Sequence, residues 1–443
     1  MSSLATIIEE EGPRRATAEE IFSINAAREA AFSRLLKLYI STGLLFMLLP
    51  GTFLGVWNLL AISSKRAADS VSAAWIQAHG HAQIFGWIGT FILGIGFYSL
   101  PKLRRGQSFG LSVAGVAWGL WTSGVALRWF ANVYPWHWRI LLPLSAALEV
   151  AAFAIFFRTV SGHRPQDSGK QKLDDWVFVV IAGTVGLLLS LLVNLGSAVY
   201  LALAGATPAV GADFDQSFLV LQAWGFLVPF VWGFSAKWLP IFLGLRRLRG
   251  RVLLLAVTLD SLGVLAAFLH AMLAAAPLLF TGMAMAGYAL RLFELPVRPA
   301  KVKGVHSSFP SFVRMAYGWG LVAAGLGVWA ASVGNAHGIW GASRHALTVG
   351  FLATMVFAMG QRVLPAFAGA HSLFSTKLMF LALLLLTVGC ALRVGSEILA
   401  YQYFLGAAWL WLPVSAVTEM TAVTPFAMNL LLSFVRGPSI TTE

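Results

Sequence analysis

Cysteine is almost absent from this chain, which has a single one, Cys390, among 443 residues. One cysteine excludes an intrachain disulfide and also a Cys-x-x-Cys-His site for covalent haem attachment. Charged residues are scarce as well, at 11%, whereas hydrophobic residues make up 58%. The core of a water-soluble protein cannot bury that much apolar surface, so the composition predicts a membrane protein. Its expected partner is the lipid bilayer that surrounds it.

The first 35 residues lack an apolar core and carry the acidic cluster Glu9-Glu10-Glu11. We therefore expect no cleavable signal peptide. A capping box, Thr17-Ala-Glu-Glu20, predicts a short amphipathic helix in a cytoplasmic N-terminal segment over residues 1–35. We expect a single polytopic membrane domain over residues 36–436 and a short cytoplasmic tail over residues 437–443.

Apolar runs long enough to cross about 30 Å of hydrocarbon recur along the chain. By this criterion the sequence predicts an all-α integral membrane protein with about twelve transmembrane helices. The runs begin near residues 36, 75, 109, 138, 175, 216, 252, 277, 312, 345, 377 and 405. From the sequence alone, no internal repeat among them is convincing.

The net charge of +13 raises the question of a nucleic-acid or acidic-lipid partner. The location of the basic residues answers it, because most of them precede the first apolar run or follow runs two, four, six and eight. The opposite loops hold only Lys65, Arg66, Arg139 and Arg344, with Arg128 at a helix end. The positive-inside rule therefore predicts that both termini are cytoplasmic, in a bacterial inner membrane. The charge encodes orientation, and we expect no nucleic-acid partner.

Two histidines stand where the second apolar run begins, in Trp75-Ile-Gln-Ala-His79-Gly-His81. Imidazoles inside a bilayer are costly unless something binds them, so a metal or a haem is the leading interpretation. Residues two apart on a helix point about 200° away from each other, so His79 and His81 should serve two different sites. Helix packing through a hydrogen bond to a carbonyl is the alternative for either residue.

Further ligands are expected at the same depth in the membrane. His345 opens the tenth run and is the natural axial partner across a haem, while His270 is either a ligand of a second site or a packing residue. Arg344 and Arg128 are expected to neutralise haem propionates, or else to extend from helix ends as interfacial residues. The predicted metal ligands are His79, His81 and His345, and the predicted cofactor-binding residues add His270, Arg344 and Arg128.

Two of these segments carry a family resemblance: His79-Gly-His-Ala-Gln-Ile-Phe-Gly-Trp, and His345-Ala-Leu-Thr-Val-Gly-Phe followed by Gln361-Arg362-Val-Leu-Pro365. With the twelve-helix topology, they resemble the NnrS family, a distant relative of the haem-copper oxidase catalytic subunit. The resemblance implies a bundle like subunit I of those oxidases, with one or two haem b groups and a copper ion. It also implies a link to nitric oxide and denitrification.

Oxygen reduction by the oxidase mechanism is not expected. In the oxidases that the chain resembles, the copper ion is held by one histidine in helix six and by a consecutive histidine pair at the start of helix seven. Here the sixth run contains no histidine, and no His-His pair occurs anywhere in the chain.

Two classes of function follow from these observations. In the first, the protein acts in electron transfer or in the chemistry of nitric oxide and other diatomic gases, with a cytochrome-type redox partner subunit at the outer face. A bis-histidine haem transfers electrons, whereas a five-coordinate haem binds gases. In the second class, the protein is a transporter or a metalloenzyme assembly factor, and the histidines form a transient metal or proton site.

Overall fold

The computed structural model describes residues 18–103, 109–162, 174–333, 337–370 and 372–436. Within these ranges the chain forms helices and no strands. The predicted capping residue Thr17, the residues before it and the predicted tail 437–443 lie outside the described residues. The expected all-helical architecture is therefore confirmed for the part of the chain that the structure describes.

Twelve helical rods follow one another through the described ranges, at the positions of the twelve apolar runs. Nine of them, all except α3, α9 and α12, are long and apolar enough to cross a membrane. The rods are α1 (18–65), α2 (73–103), α3 (Leu111–Val133), α4 (Trp138–Gly162), α5 (Asp175–Ala204), α6 (212–242), α7 (Gly250–Phe268), α8 (Met272–Ala289), α9 (Phe309–Ser332), α10 (337–367), α11 (Thr376–Tyr401) and α12 (Ala408–Val435).

Helix α1 starts at Ala18 and continues without a break beyond residue 35. The short N-terminal helix expected from the sequence is therefore the first part of a longer one. No glycine or proline occurs between Ala18 and Thr42, so the local sequence contains no signal that would end the helix there.

Four rods contain a π-helical segment, a rare element that often marks a functional site. Each segment has glycine at its fifth position, where the absence of a side chain lets a neighbouring helix approach. The segments are Met47–Phe53 in α1, Ala82–Gly89 in α2, Leu221–Leu227 in α6 and Ala346–Ala353 in α10.

The π-helical segments reveal an internal repeat, which corrects the expectation that none is present. Helices α2, α6 and α10 each place a Leu-Pro pair fourteen and fifteen residues after the π-helical glycine, at Pro101, Pro240 and Pro365. In α2 and α10 a His-Ala pair, beginning at His81 and His345, leads into the segment. Interchangeable leucine, alanine and valine residues obscure this repeat in the sequence, whereas the shared π-helical register fixes the alignment.

The repeat extends to the following helices. Helices α3 and α11 share Thr-x-Gly-x-Ala-Leu-Arg, and α4 and α12 share Leu-Pro-x-Ser-Ala-x-x-Glu. The packing is repeated too, because a Cβ atom on Gly124 would lie 2.8 Å from Cγ of Glu149, and one on Gly389 would lie 2.7 Å from Cγ of Glu419. The first four and last four rods therefore carry matching polar residues, which are His81, Arg128 and Glu149 in one set and His345, Arg393 and Glu419 in the other.

The middle repeat, α5 to α8, lacks this chemistry. The residues at the equivalent positions are Val220, Ala267 and Met283, all of them apolar and buried. At these three equivalent positions, the bundle thus has two polar repeats and one apolar repeat.

Candidate functional site

A cavity of about 500 Å³ lies where α2, α6 and α10 begin and where α3 and α11 end. Five of the six predicted site residues line it. These are His79, His81, Arg128, Arg344 and His345. The structure therefore brings together residues that lie up to 266 positions apart in the sequence.

His79 is held by α1. Its Nδ1 atom lies 2.9 Å from the carbonyl oxygen of Gly51, which belongs to the π-helical segment of that helix. One turn further along α1, Gly55 leaves room for the imidazole ring, since a Cβ atom there would lie 2.7 Å from Cε1 of His79. Two glycines on one face of α1 therefore fix the position and the tautomer of this imidazole.

His345 is held in a comparable way by the first turn of its own helix and by α11. Its Nδ1 atom lies 2.9 Å from the carbonyl oxygen of Gly341 and 3.0 Å from Oε2 of Glu397. A Cβ atom on Gly341 would overlap the Glu397 carboxylate, so glycine is needed for this approach. For both His79 and His345, Nδ1 is engaged and Nε2 has no hydrogen-bond partner among the described residues.

His81 points to a different helix, as its spacing from His79 predicts. Its Nε2 atom lies 2.7 Å from Oε1 of Glu149, and the second carboxylate oxygen accepts a hydrogen bond from Asn194 at 3.3 Å. His81, Glu149 and Asn194 are all buried and link α2, α4 and α5. This network favours the packing alternative for His81, since its side chain is satisfied within the protein.

Two buried arginines face the cavity from equivalent positions of the repeat. Arg128 is 4% exposed and Arg393 is 6% exposed. Within the described ranges, Nε and Nη1 of both residues lack a hydrogen-bond partner, although Nε of Arg393 lies 3.4 Å from the Glu397 carboxylate. Buried guanidinium groups with unused donors are costly, so this arrangement suits a ligand that carries anionic groups.

The predicted arginine Arg344 differs from these two. It is exposed at the margin of the cavity, and its Nη1 atom lies 3.4 Å from Oε1 of Gln216. Asp215 also lines the cavity near this residue.

The structure does not bring His270 to the cavity. This residue is exposed in the turn between α7 and α8, where its φ of 57° places it in the left-handed region. The interval from α7 to α8 is only three residues, and the turn requires this conformation. His137 is likewise exposed in a loop, as an interfacial aromatic segment would be.

Sequence reasoning missed Arg393 and the contact between Glu397 and His345. A signal was present, because Thr-x-Gly-x-Ala-Leu-Arg occurs at Arg128 and again at Arg393. Glu419 is half-buried, and its Oε1 atom is buried without a hydrogen-bond partner among the described residues. It also lines the cavity, at the position equivalent to Glu149.

A compact site for a free metal ion is not found in the described part of the chain, where no group of three or more His, Cys, Asp or Glu residues is close enough to hold one. In comparisons with known proteins, the chain matches no family model and no curated sequence.

Proposed function

We propose that this protein binds haem b in the cavity between α2 and α10, with His79 and His345 as the axial ligands. One observation carries the proposal. Both imidazoles line the same cavity, and Nδ1 of each is hydrogen-bonded to a backbone carbonyl. In metal-binding histidines the second ring nitrogen typically donates to a carbonyl or carboxylate, which leaves Nε2 to bind the metal.

The remaining features of the cavity fit the same group. A haem supplies four iron ligands of its own, so two histidines are sufficient and no cluster of three or more metal-binding side chains is needed. Its two propionates are anionic, and Arg128 and Arg393 present unused donors. A volume of about 500 Å³ also falls within the range of roughly 300–1,000 Å³ that is usual for cofactor sites.

We further propose that all twelve rods cross a bacterial inner membrane with both termini in the cytoplasm, as in an NnrS-like protein. The cavity lies at the start of α6 and the basic loop after α6 lies at its other end. By the positive-inside rule that loop is cytoplasmic, which places the cavity toward the outer side. A cytochrome-type partner subunit at the outer face would then be near the haem.

With two imidazole ligands, a haem supplies reversible one-electron transfer, so electron transfer is the function we favour. The chemistry of nitric oxide or another diatomic gas requires an open coordination position, and hence the release of one imidazole. Copper, the second metal expected from the family resemblance, stays a prediction that metal quantification tests.

A transporter or assembly factor is the other class of function. Inverted repeats would favour transport. The repeats found here are parallel, because His81 and His345 stand at the same end of the bundle and Arg128 and Arg393 both approach the same cavity. Transporters are built from parallel as well as inverted repeats, so this repeat does not decide between the two classes of function.

The experiment that tests the proposal is a reduced-minus-oxidised optical spectrum of the detergent-purified protein, with iron and copper quantified on the same sample and carbon monoxide added afterwards. We expect a b-type spectrum, about one iron per chain and no response to carbon monoxide. A carbon monoxide shift would instead indicate a gas-binding site. Absence of both haem and iron would overturn the proposal and favour the transport class.

A further inference from the structure

Two loops at the end of the bundle opposite to the cavity carry an unusual density of positive charge. The segments 243–251 and 290–308 contain eight arginine or lysine residues and one acidic residue, Glu294. Six of the cations are exposed. These residues, which we call the basic platform, are Arg246, Arg247, Arg251, Arg298, Lys301 and Lys303.

The two loops form one folded surface. The carbonyl oxygen of Gly244 accepts hydrogen bonds from the backbone N–H groups of Val297 at 2.9 Å and Arg298 at 3.2 Å, and that of Phe242 accepts one from Lys301 at 2.8 Å. Gly244 has a φ of 65°, and a Cβ atom there would overlap the carbonyl of Arg298. The positive-inside rule depends only on the number of arginine and lysine residues in a loop and not on how the loop folds. The ordered fold of these two loops therefore needs a separate explanation.

The single acidic side chain of these loops is occupied within them. Oε1 of Glu294 accepts a hydrogen bond from Arg249 at 2.9 Å, and Oε2 accepts one from Arg291 at 2.8 Å. The hydrogen bond from Arg291 is the main reason why the pKa of Glu294 is held below its usual range. Glu294 therefore orders two half-buried arginines, and neither loop has a further acidic side chain for the exposed cations. Outside the two loops, the carboxylate of Asp175 lies against Gly250, next to Arg251.

Exposed apolar side chains lie beside these cations. Leu295 is 89% exposed, Phe293 is 59% exposed and Val297 is 51% exposed. They follow directly after α8. At the same level of the bundle α6 and α8 end and α7 begins, and all three helices are long and apolar enough to cross a membrane. Apolar side chains next to cations at this level suit the boundary between acyl chains and phosphate groups.

We propose that the basic platform, with Phe293, Leu295 and Val297, is a binding site for anionic phospholipids. The apolar side chains insert among the acyl chains, while the platform cations bind the headgroup phosphates. An acidic protein partner would account for the cations but not for the exposed leucine and phenylalanine. The inference does not depend on haem binding.

The test uses the full-length protein in nanodiscs of phosphatidylcholine with increasing phosphatidylglycerol or cardiolipin. Lipid that stays bound after extraction is counted by native mass spectrometry. One variant combines Arg246→Gln, Arg247→Gln, Arg298→Gln and Lys301→Gln, and a second combines Phe293→Ser and Leu295→Ser. The matched control removes three exposed cations from loops elsewhere, through Lys65→Gln, Arg66→Gln and Arg139→Gln.

We expect the wild type and the control to retain anionic lipid in preference to phosphatidylcholine. The quadruple variant should lose more than about tenfold of that preference, because each cation near an anionic surface contributes about 1 kcal/mol. The apolar double variant should retain less lipid, and millimolar inorganic phosphate should not displace it. Equal retention of both lipid classes by the wild type would overturn the proposal, as would an unchanged preference in the quadruple variant or full displacement by phosphate.

Discussion

The carboxylate of Glu397 lies 3.0 Å from Nδ1 of His345, and the same Nδ1 lies 2.9 Å from the carbonyl oxygen of Gly341. Among the described residues, Nδ1 of His79 contacts the carbonyl of Gly51 and no carboxylate. Nδ1 of each imidazole is hydrogen-bonded to a carbonyl, and His345 has in addition a carboxylate beside it, whose negative charge strengthens an imidazole as an electron donor to a metal. The two faces of the site therefore differ in electron-donating strength.

Replacing Glu397 by glutamine should raise the reduction potential of the proposed haem without preventing its binding. The amide removes the negative charge beside His345 and so destabilises the ferric state relative to the ferrous state. Potentiometric titration measures the potential, and electron paramagnetic resonance of the ferric form reports the ligand field. Glu149→Gln makes the same chemical change beside His81 and should alter neither the potential nor the resonance. An unchanged potential and resonance in the Glu397 variant would show that the carboxylate does not act on His345.

Substitution of either imidazole that we propose as an axial ligand should prevent haem binding. In separate variants, His79→Ala and His345→Ala are expected to lose most of the b-type absorbance of the purified protein, because each leaves the iron with one protein ligand. His270→Ala removes an exposed imidazole outside the cavity and should keep the full spectrum. Retention of the wild-type spectrum by the His345 variant would rule out the proposed ligation.

Gly55→Ala should reduce haem content without touching a ligand directly. A methyl group there would lie 2.7 Å from Cε1 of His79, so the ring must shift from its position against α1. Gly196→Ala is the matched control, because a side chain at that position meets nothing within 4 Å. The haem-to-protein absorbance ratio of the two variants measures the effect. Equal ratios would mean that α1 does not position His79.

Glu149→Ala should destabilise the protein but leave the haem in place. It removes the buried hydrogen-bond acceptor of both His81 and Asn194, and leaving such groups unsatisfied costs about 1–3 kcal/mol each. Thermal unfolding in detergent, followed alongside the haem absorbance, measures both quantities. Loss of haem at unchanged stability would instead assign His81 to the cofactor.

Periodicity and composition predict the fold well because a membrane helix is specified locally. Each of the twelve rods lies at a predicted apolar run, and the shortest rod is Met272–Ala289, at the run near residue 277. The continuation of α1 through residue 35 was not predicted, because a capping box indicates where a helix begins and not how far it extends.

The site was predictable only in part. The spacing of His79 and His81 predicts side chains that point away from each other, and in the structure His79 contacts α1 whereas His81 contacts α4. That they serve two different sites, and that His345 is an axial ligand, stay predictions, although all three line one cavity. Which imidazole is satisfied by the protein depends on Gly51, Glu149 and Glu397, and these contacts arise from tertiary packing. His270 was misplaced for a similar reason, since a turn and not a helix interior surrounds it.

The duplication also bears on how an unsymmetrical ligand is oriented. The two polar copies of the repeat differ at two positions near the proposed ligands. Asn132 in the first copy corresponds to Glu397 in the last, and His79 in the first corresponds to Ser343 in the last. The middle repeat differs from both copies, and α6 also lines the cavity, so a flat molecule with unlike edges meets unlike surroundings in its two orientations. These exchanges between the polar copies increase the energy difference between the two orientations. A variant with the same residue at positions 132 and 397 should therefore show a larger share of the second orientation of the proposed ligand before any loss of affinity.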